Sequence, residues 1–412
     1  MIRSVRKRSG LLIFLCCAVY FTSYLTRHNY AAALVEIVRD MGIDKETGSC
    51  ALTGMFVTYG AGQLFSGWLG DRFSPRIVIA VGIFATSLCN FGMVFLSDII
   101  GMTVLWCING FAQAMLWPPL VRIMTENLDD GNYRKASLLV SIAASVGSIA
   151  VYLLVPACIA ASGWRSAFFV PALIGVCVAF VWIFSEKRCE SPTKIQKNDD
   201  AARVAAGHWV RHIIHATGLV PIILGIVLQG MLRDGITTWM PAYIADNYSF
   251  GTDMSVLTTV VLPIFGIVSI SAASLLQKKV GSDLTASTLL FGLACLSGVI
   301  LRLLGQTGAV VSVVCMMLIT GCMHGVNMLL ISRLPAYFSG YGKVSTISGV
   351  LNTFTYVGSA LSSYGFAAIS ERRGWEFTTG IWALIALFGT VCCGSVIGRW
   401  NRFAKRKSES VR

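Results

Sequence analysis

Apolar residues in this chain fall into long runs separated by short polar or basic segments. A helix rises 1.5 Å per residue, so roughly 20 apolar residues cross the hydrocarbon core of a bilayer. On that template the pattern predicts twelve spans, near 11–36, 48–70, 75–97, 99–126, 132–161, 166–185, 218–245, 253–277, 283–304, 307–333, 341–369 and 375–398. One interruption differs in kind. The segment 186–217 holds Glu186, Lys187, Arg188, Lys194, Lys197, Asp199, Asp200, Arg203 and Arg211. It splits the spans six and six. The expected fold is an all-α membrane protein of twelve transmembrane helices: an N-terminal half 1–185, a linker 186–217 and a C-terminal half 218–412.

The runs are not uniform inside. Span 4 carries Trp117-Pro118-Pro119, and two prolines in a row remove backbone donors and predict a kink. Pro156 predicts a bend toward the outer end of span 5. Span 11 has small residues at three- and four-residue spacing through Gly349, Gly358 and Ser359, a pattern that lets helices approach closely. Asn352 and Tyr356 share one face of it.

Composition agrees with the pattern. The chain is 55% hydrophobic and only 13% charged, where soluble domains carry roughly a quarter. Its net charge of +13 resides in the short segments between runs, without a basic tract interleaved with stacking aromatics. That distribution points to a lipid bilayer as partner and away from nucleic acid. With both termini inside, the inner segments carry 24 of the Lys and Arg residues and the outer segments carry five: Arg39, Lys45, Arg165, Arg372 and Arg373. The asymmetry predicts a multi-pass protein of the inner (cytoplasmic) membrane with both termini cytoplasmic. Arg3, Arg6, Lys7 and Arg8 precede the first run like the start of a signal peptide, but that run is long, holds Arg27 and lacks a small-residue cleavage site, so it reads as an uncleaved span. The 13 cysteines include no Cys-x-x-Cys pair and sit mostly within apolar runs, as packing residues. No metal site or cofactor is expected, and no serine–histidine or HExxH arrangement suggests an enzyme.

The candidate chemistry begins with two arginines. Arg27 lies in the first run of the first half and Arg233 in the first run of the second, 206 residues on. A guanidinium keeps its proton, so inside a membrane it needs a partner, water or an anionic ligand. Tyr20, Tyr24 and Arg27, at i, i+4 and i+7, share a helix face. Two readings are open: Arg27 and Arg233 bind a substrate anion, or each pairs with a carboxylate, for which Asp234 is the available candidate. Arg233 and Asp234 themselves are expected to point about 100° apart on a helix. Gln113 and Trp117 would face a cavity at the kink of span 4, and Arg122 either snorkels or pairs with Glu126, four residues on. His324, alone in span 10 between Gly321 and Gly325, is either a packing residue or a ligand donor and proton-coupling group. His208, His212 and His215 read as part of an interfacial helix with Trp209 and Arg211 rather than a metal site.

The sharpest local motif is Gly67-Trp-Leu-Gly70-Asp71-Arg72-Phe-Ser-Pro-Arg76. Its glycines allow close helix approach, Asp71 can cap a neighbouring helix or pair with a basic residue, and Arg72 and Arg76 hold the cytosolic side. It resembles the loop signature between the second and third spans of major facilitator transporters, and the six-plus-six plan is similar to theirs. A second resemblance is narrower. Tyr-Leu-Thr-Arg27-His-Asn-Tyr, Asn109-Gly-Phe-Ala-Gln-Ala-Met-Leu-Trp117-Pro-Pro, Gly163-Trp164-Arg165 and Leu232-Arg233-Asp-Gly-Ile-Thr-Thr-Trp239-Met-Pro241 resemble the organophosphate:phosphate antiporters over nearly the whole chain. The resemblance implies that Arg27 and Arg233 clamp an anionic head, with Gly67, Asp71, Arg72 and Arg76 as a conformational gate. The chain departs from that family at four places. Gln63 stands where a lysine is usual, Ala144 where some members have histidine, His28 where lysine is common, and Asp234 where an aromatic is common.

The expected function is therefore secondary active transport of a small organic anion, organophosphate-like, by alternating access. Arg27, Arg233, Tyr24, Gln113, Trp117, His324 and Asn352 are the expected substrate-binding residues. Asp234 and His324 are candidates for coupling, with inorganic phosphate or a proton as the coupling species, and the expected state is a monomer. The alternatives are a proton-coupled symporter or exporter of another organic anion (carboxylate, phosphonate or sulfonate) and a transporter-like membrane sensor.

Overall fold

The computed structural model describes residues 2–43, 45–186, 217–248 and 261–410. Nearly all of the expected linker, with its three histidines, and the start of span 8 lie outside these residues. Among the described residues the secondary structure is helical, without strands. The helices are α1 (Ile2–Met41), α2 (Lys45–Arg72), α3 (Pro75–Met93), α4 (Ile99–Ala114), α5 (Trp117–Asn127), α6 (Asp130–Ser162) and α7 (Ser166–Glu186). Then follow α8 (Leu219–Tyr248), α9 (Val261–Val280), α10 (Asp283–Leu304), α11 (Ala309–Asn327), α12 (Val344–Gly394) and α13 (Ile397–Ser410). Gly374, at φ 78° and ψ 169°, breaks α12 into two helices. The protein has the twelve-helix fold expected from its apolar runs. Nine described helical stretches are long and apolar enough to cross a membrane.

Several local details follow from sequence. Leu116 and the Trp-Pro-Pro stretch divide span 4 into α4 and α5, because neither proline can donate a backbone hydrogen bond. Pro156, in contrast, lies within a single helix from Asp130 to Ser162. Asp98 and Asp129 cap α4 and α6, accepting from the N–H groups of Gly101 and Asn132. Beyond α11 the chain widens into a π-helical turn, Met328–Arg333, and then tightens into a 3-10 segment, Leu334–Tyr341.

The chain forms two compact units. The first draws on Met1–Lys197 and Phe338–Thr353, the second on Asn198–Tyr337 and Phe354–Arg412. In the first, α1 packs on α6, α2 on α4 and α3 on α7. Its core includes a ring cluster in which Trp106 lies 5.3 Å from Tyr30 and 5.6 Å from Phe168. In the second, α11 is the hub, packed by α8, α9 and α10. Large apolar side chains such as Ile100, Leu153, Phe184 and Val310 are more than 70% exposed, which suits a surface solvated by lipid chains.

Candidate functional site

In the first unit, α1 presents its polar stripe inward. Arg27 is buried, and its guanidinium carbon sits 4.5 Å from the Tyr24 ring and 5.0 Å from the Tyr59 ring, within cation–π range. Tyr24 contacts Tyr20 edge-on at 5.4 Å and stacks on His28 at 5.0 Å. Tyr20 in turn lies 4.7 Å from the buried Trp117. The spacing of Tyr20, Tyr24 and Arg27 thus becomes one continuous ring-and-cation stripe. Tyr59, on α2, was not singled out, because nothing in its own neighbourhood announces a partner on another helix.

Gln113 has a different setting from the one its sequence suggests. It is buried, its Oε1 accepts from Ser23 Oγ at 2.7 Å, and its Nε2 donates to Thr26 and Thr86 hydroxyls at 2.8 Å each. Thr86 also donates to Asn109, whose amide donates to the Thr26 carbonyl at 3.1 Å. Asn29 donates to Asn90 Oδ1 at 2.7 Å and to the Ala167 carbonyl at 3.0 Å. These bonds tie α1 to α3, α4 and α7. A network so well satisfied holds helices in register, and it fixes the face on which Arg27 stands. Ala144 is buried and brings no charge. Gln63 is fully buried, and neither atom of its amide meets a hydrogen-bond partner among the described residues.

At the end of α2, Asp71 caps the start of α12. Its carboxylate accepts from the backbone N–H groups of Ser345 at 3.0 Å and Thr346 at 2.8 Å, and from the Thr346 hydroxyl. Gly67 and Gly70 permit that approach: a Cβ on Gly67 would meet the Ser345 carbonyl oxygen at 2.9 Å. Arg72 lies over Trp68 at 5.4 Å, and the carbonyl of Arg76 accepts from the Trp182 indole. Arg122 pairs with Glu126 at 2.7 Å and also donates to the carbonyl of Gly70, so it braces α5 against the end of α2. Asn352 is buried on the same part of α12.

In the second unit the expected divergence of Arg233 and Asp234 does not hold. Arg233 Nε lies 2.6 Å from Asp234 Oδ1 and its Nη2 2.8 Å from Oδ2, a two-pronged pair between sequence neighbours. Helical geometry fixes where Cβ points, but the long arginine stem turns its fork back to the carboxylate. Arg233 Nη1 also donates to Asn327 on α11 at 2.9 Å, and Ser359 on α12 donates to Asp234. His324, on α11, lies beside Gly266 and within electrostatic reach of both Arg233 and Asp234. Asn327 and Ser359 were not anticipated.

The second unit also holds a buried pair that the sequence pattern does not mark. Arg333, in the π-helical turn, stands 3.6 Å from Asp283, donates to Gln277 at 3.0 Å and to Ser274 at 2.8 Å, while Tyr337 donates to Asp283. Counting basic residues places Arg333 on the inner side but does not reveal its partners.

Sequence and structure comparisons meet this geometry. The Major Facilitator Superfamily profile matches residues 16–363. A probable hexose phosphate transport protein of Chlamydia trachomatis is 22% identical over 87% of this chain and 84% of its own length. A probable sulfoacetate transporter of Cupriavidus necator is 24% identical over 89% of each. Among solved structures, a bacterial homologue of the iron transporter ferroportin, in an outward-facing state, superposes with a TM-score of 0.75 at 11% identity, covering 93% of this chain and 98% of that one. At that identity the likeness concerns the fold alone.

Proposed function

The chain belongs to the Major Facilitator Superfamily, and from that premise we propose that it is a secondary active transporter carrying a small organic anion across the cytoplasmic membrane by alternating access. The observation that carries this reading is the arginine inside the first span of each half, Arg27 within Arg8–Leu34 and Arg233 within Leu219–Met240. A guanidinium fork matches the oxygens of phosphate, sulfonate and carboxylate alike. In this proposal Arg27 and Arg233 anchor the anionic head, and Tyr24, Gln113, Trp117, His324 and Asn352 contribute to the substrate route. Gly67, Asp71, Arg72 and Arg76 form the gate. The halves are 1–185 and 218–412, the linker 186–217 and both termini are cytoplasmic, and the protein acts as a monomer without enzymatic activity.

The hexose phosphate relative supports an organophosphate as cargo. A second reading, a sulfonate or carboxylate, draws on the sulfoacetate relative and on the chain itself. Gln63 and Ala144 bring no positive charge, and Asp234 brings a negative one, so this site suits a head group with one negative charge, such as a sulfonate or a carboxylate, better than a doubly ionised phosphate.

Proteoliposomes test both readings. Labelled glycerol-3-phosphate and sulfoacetate are offered to the wild type, Arg27→Ala and Arg233→Ala. Losing one partner of a charge-assisted contact lowers uptake by about a hundredfold in each variant. Near-normal uptake by both variants, correctly inserted, rules the clamp out, and the preferred probe selects the anion class.

A further inference from the structure

We propose that Asp234 is the proton-binding residue that couples anion binding at Arg233 to a pH gradient, so that proton and anion enter together. The inference rests on the transport reading above and adds its driving force. Its starting point is geometric. Asp234 occupies the Arg233 fork with both oxygens, at 2.6 and 2.8 Å, in the very arrangement an incoming carboxylate, phosphate or sulfonate would adopt. The third arm of Arg233 is taken by Asn327. An anion that takes the Nε–Nη2 edge of this guanidinium therefore does so in competition with Asp234.

Displacing Asp234 as a carboxylate with a doubly charged anion such as sulfoacetate would set three negative charges against the two cations of the proposed clamp, Arg27 and Arg233, an arrangement that disfavours the charged form of one of the acids. A proton resolves the conflict. One H⁺ passes from water to an Asp234 oxygen, forming a single O–H bond. Arg233 keeps its proton, and the anionic head takes the vacated place on the fork. With a doubly charged anion on Arg27⁺ and Arg233⁺, the clamp is neutral when Asp234 carries the proton and negative when it does not. On the far side the head and the proton leave, and the original pair reforms.

Three further observations favour Asp234. Its side chain keeps 34% of its surface exposed against 13% for Arg233, so the carboxylate is the more accessible partner. Ser359 is a hydroxyl, able to donate to the carboxylate and to accept from the protonated acid. The position 206 residues earlier, beside Arg27, is His28, stacked on Tyr24, so the carboxylate is peculiar to the second half. The groups facing Asp234 are Arg233 on its own helix, His324 and Asn327 on α11, and Ser359 on α12; among them His324 alone could compete for the proton.

Binding of sulfoacetate to the purified full chain, followed by calorimetry between about pH 5.5 and pH 8, tests this, because both acid groups of that probe stay ionised over the range. The wild type is expected to lose affinity as pH rises, at most about tenfold per pH unit for one linked proton. Asp234→Asn flattens that slope, whereas Asp234→Glu and Ser359→Ala keep it, and His324→Gln, whose affinity is expected to fall, keeps the slope in the binding that remains. In proteoliposomes an acidic exterior drives accumulation by the wild type without internal counter-substrate and fails to do so in Asp234→Asn. Flat wild-type binding, a slope that survives in Asp234→Asn, or a slope lost in His324→Gln overturns the coupling and leaves the transport reading standing. No binding of sulfoacetate, glycerol-3-phosphate or inorganic phosphate at any pH overturns both.

Discussion

Trp164 donates its indole N–H to Asp40 at 2.8 Å, and Arg165 stands 3.5 Å from the same carboxylate oxygen while covering the Trp164 ring at 4.3 Å. The indole bond first, then the Arg165 guanidinium, hold the Asp40 carboxyl below the usual carboxylate range. A carboxyl depressed in the folded state stabilises that state above its unfolded pKa, and the contribution is lost as pH falls through the folded value. Trp164→Phe should therefore lower the melting temperature of purified protein at pH 7. The gap to wild type should close as pH drops below about 4. A gap that stays constant to lower pH would show that the indole acts through packing alone. Individual residues also divide by how much of their role could be read in advance. The stripe of Tyr20, Tyr24 and Arg27 was legible because helical spacing alone puts it on one face. The Arg233–Asp234 pair was not, since side-chain torsions, not backbone periodicity, bring its fork back. Gln113 reads from its position beside the kink as a residue facing a cavity. Its partners Ser23, Thr26 and Thr86 lie on two other helices, and no local pattern encodes such a meeting.

Hydropathy locates helices well where they face lipid and less well where they face one another. Among the described residues, α2 and the first part of α12 fall short of the apolarity that marks the nine candidate spans. The reason for α2 and α12 lies in small and hydroxylated residues, which lower hydropathy while permitting close packing. Where α2 ends, that packing is visible: a Cβ on Gly349 would lie 2.4 Å from the Gln63 carbonyl oxygen, and Thr353 donates to the Gly60 carbonyl at 3.2 Å. The segment Phe338–Thr353 consequently belongs to the first compact unit although it follows most of the second in sequence. Asp71 is the polar end of this contact. With two first-turn N–H groups of α12 satisfied by one carboxylate, Asp71→Ala should cost about 0.5–2 kcal/mol, the range for losing a helix cap. Thermal unfolding of the purified variant measures it. Asp71→Asn, the same length with one acceptor oxygen in place of two, should recover part of the loss if capping is the role, and none of it if the charge alone matters.

The two units repeat one another in detail, and only the faintest part of that repeat was legible beforehand. Arg27 and Arg233 are 206 residues apart, and so are Asp40 and Asp246. Arg122 and Arg333 are 211 apart, as are Trp164 and Trp375. Trp375 donates to Asp246 at 2.8 Å just as Trp164 does to Asp40, and the glycine before each tryptophan has φ near +80°. The offsets differ by five residues (211 − 206 = 5), so the second half carries a net insertion between its first and fourth spans. Sequence identity at isolated positions is too sparse to establish this. The indole–carboxylate bond made at the equivalent place in each unit, after a glycine of the same backbone conformation, supports it. The repeat extends to close helix packing. A Cβ on Gly147 would stand 2.9 Å from Tyr24 Cβ and 3.0 Å from the Phe21 carbonyl oxygen; on Gly358, 211 residues later, it would stand 2.0 Å from the carbonyl oxygen of Val227, the 206-residue counterpart of Phe21. A side-chain neighbour can yield by a few tenths of an ångström, but a helical carbonyl moves only with its helix. Gly147→Ala and Gly358→Ala should therefore both destabilise, by about 1–3 kcal/mol as overpacking does, with Gly358→Ala the worse. Melting temperatures of the two purified variants decide the ranking. A harmless Gly358→Ala would mean that α8 and α12 can part there without loss, and the match between the two packing sites would then be one of sequence spacing rather than of shared structure.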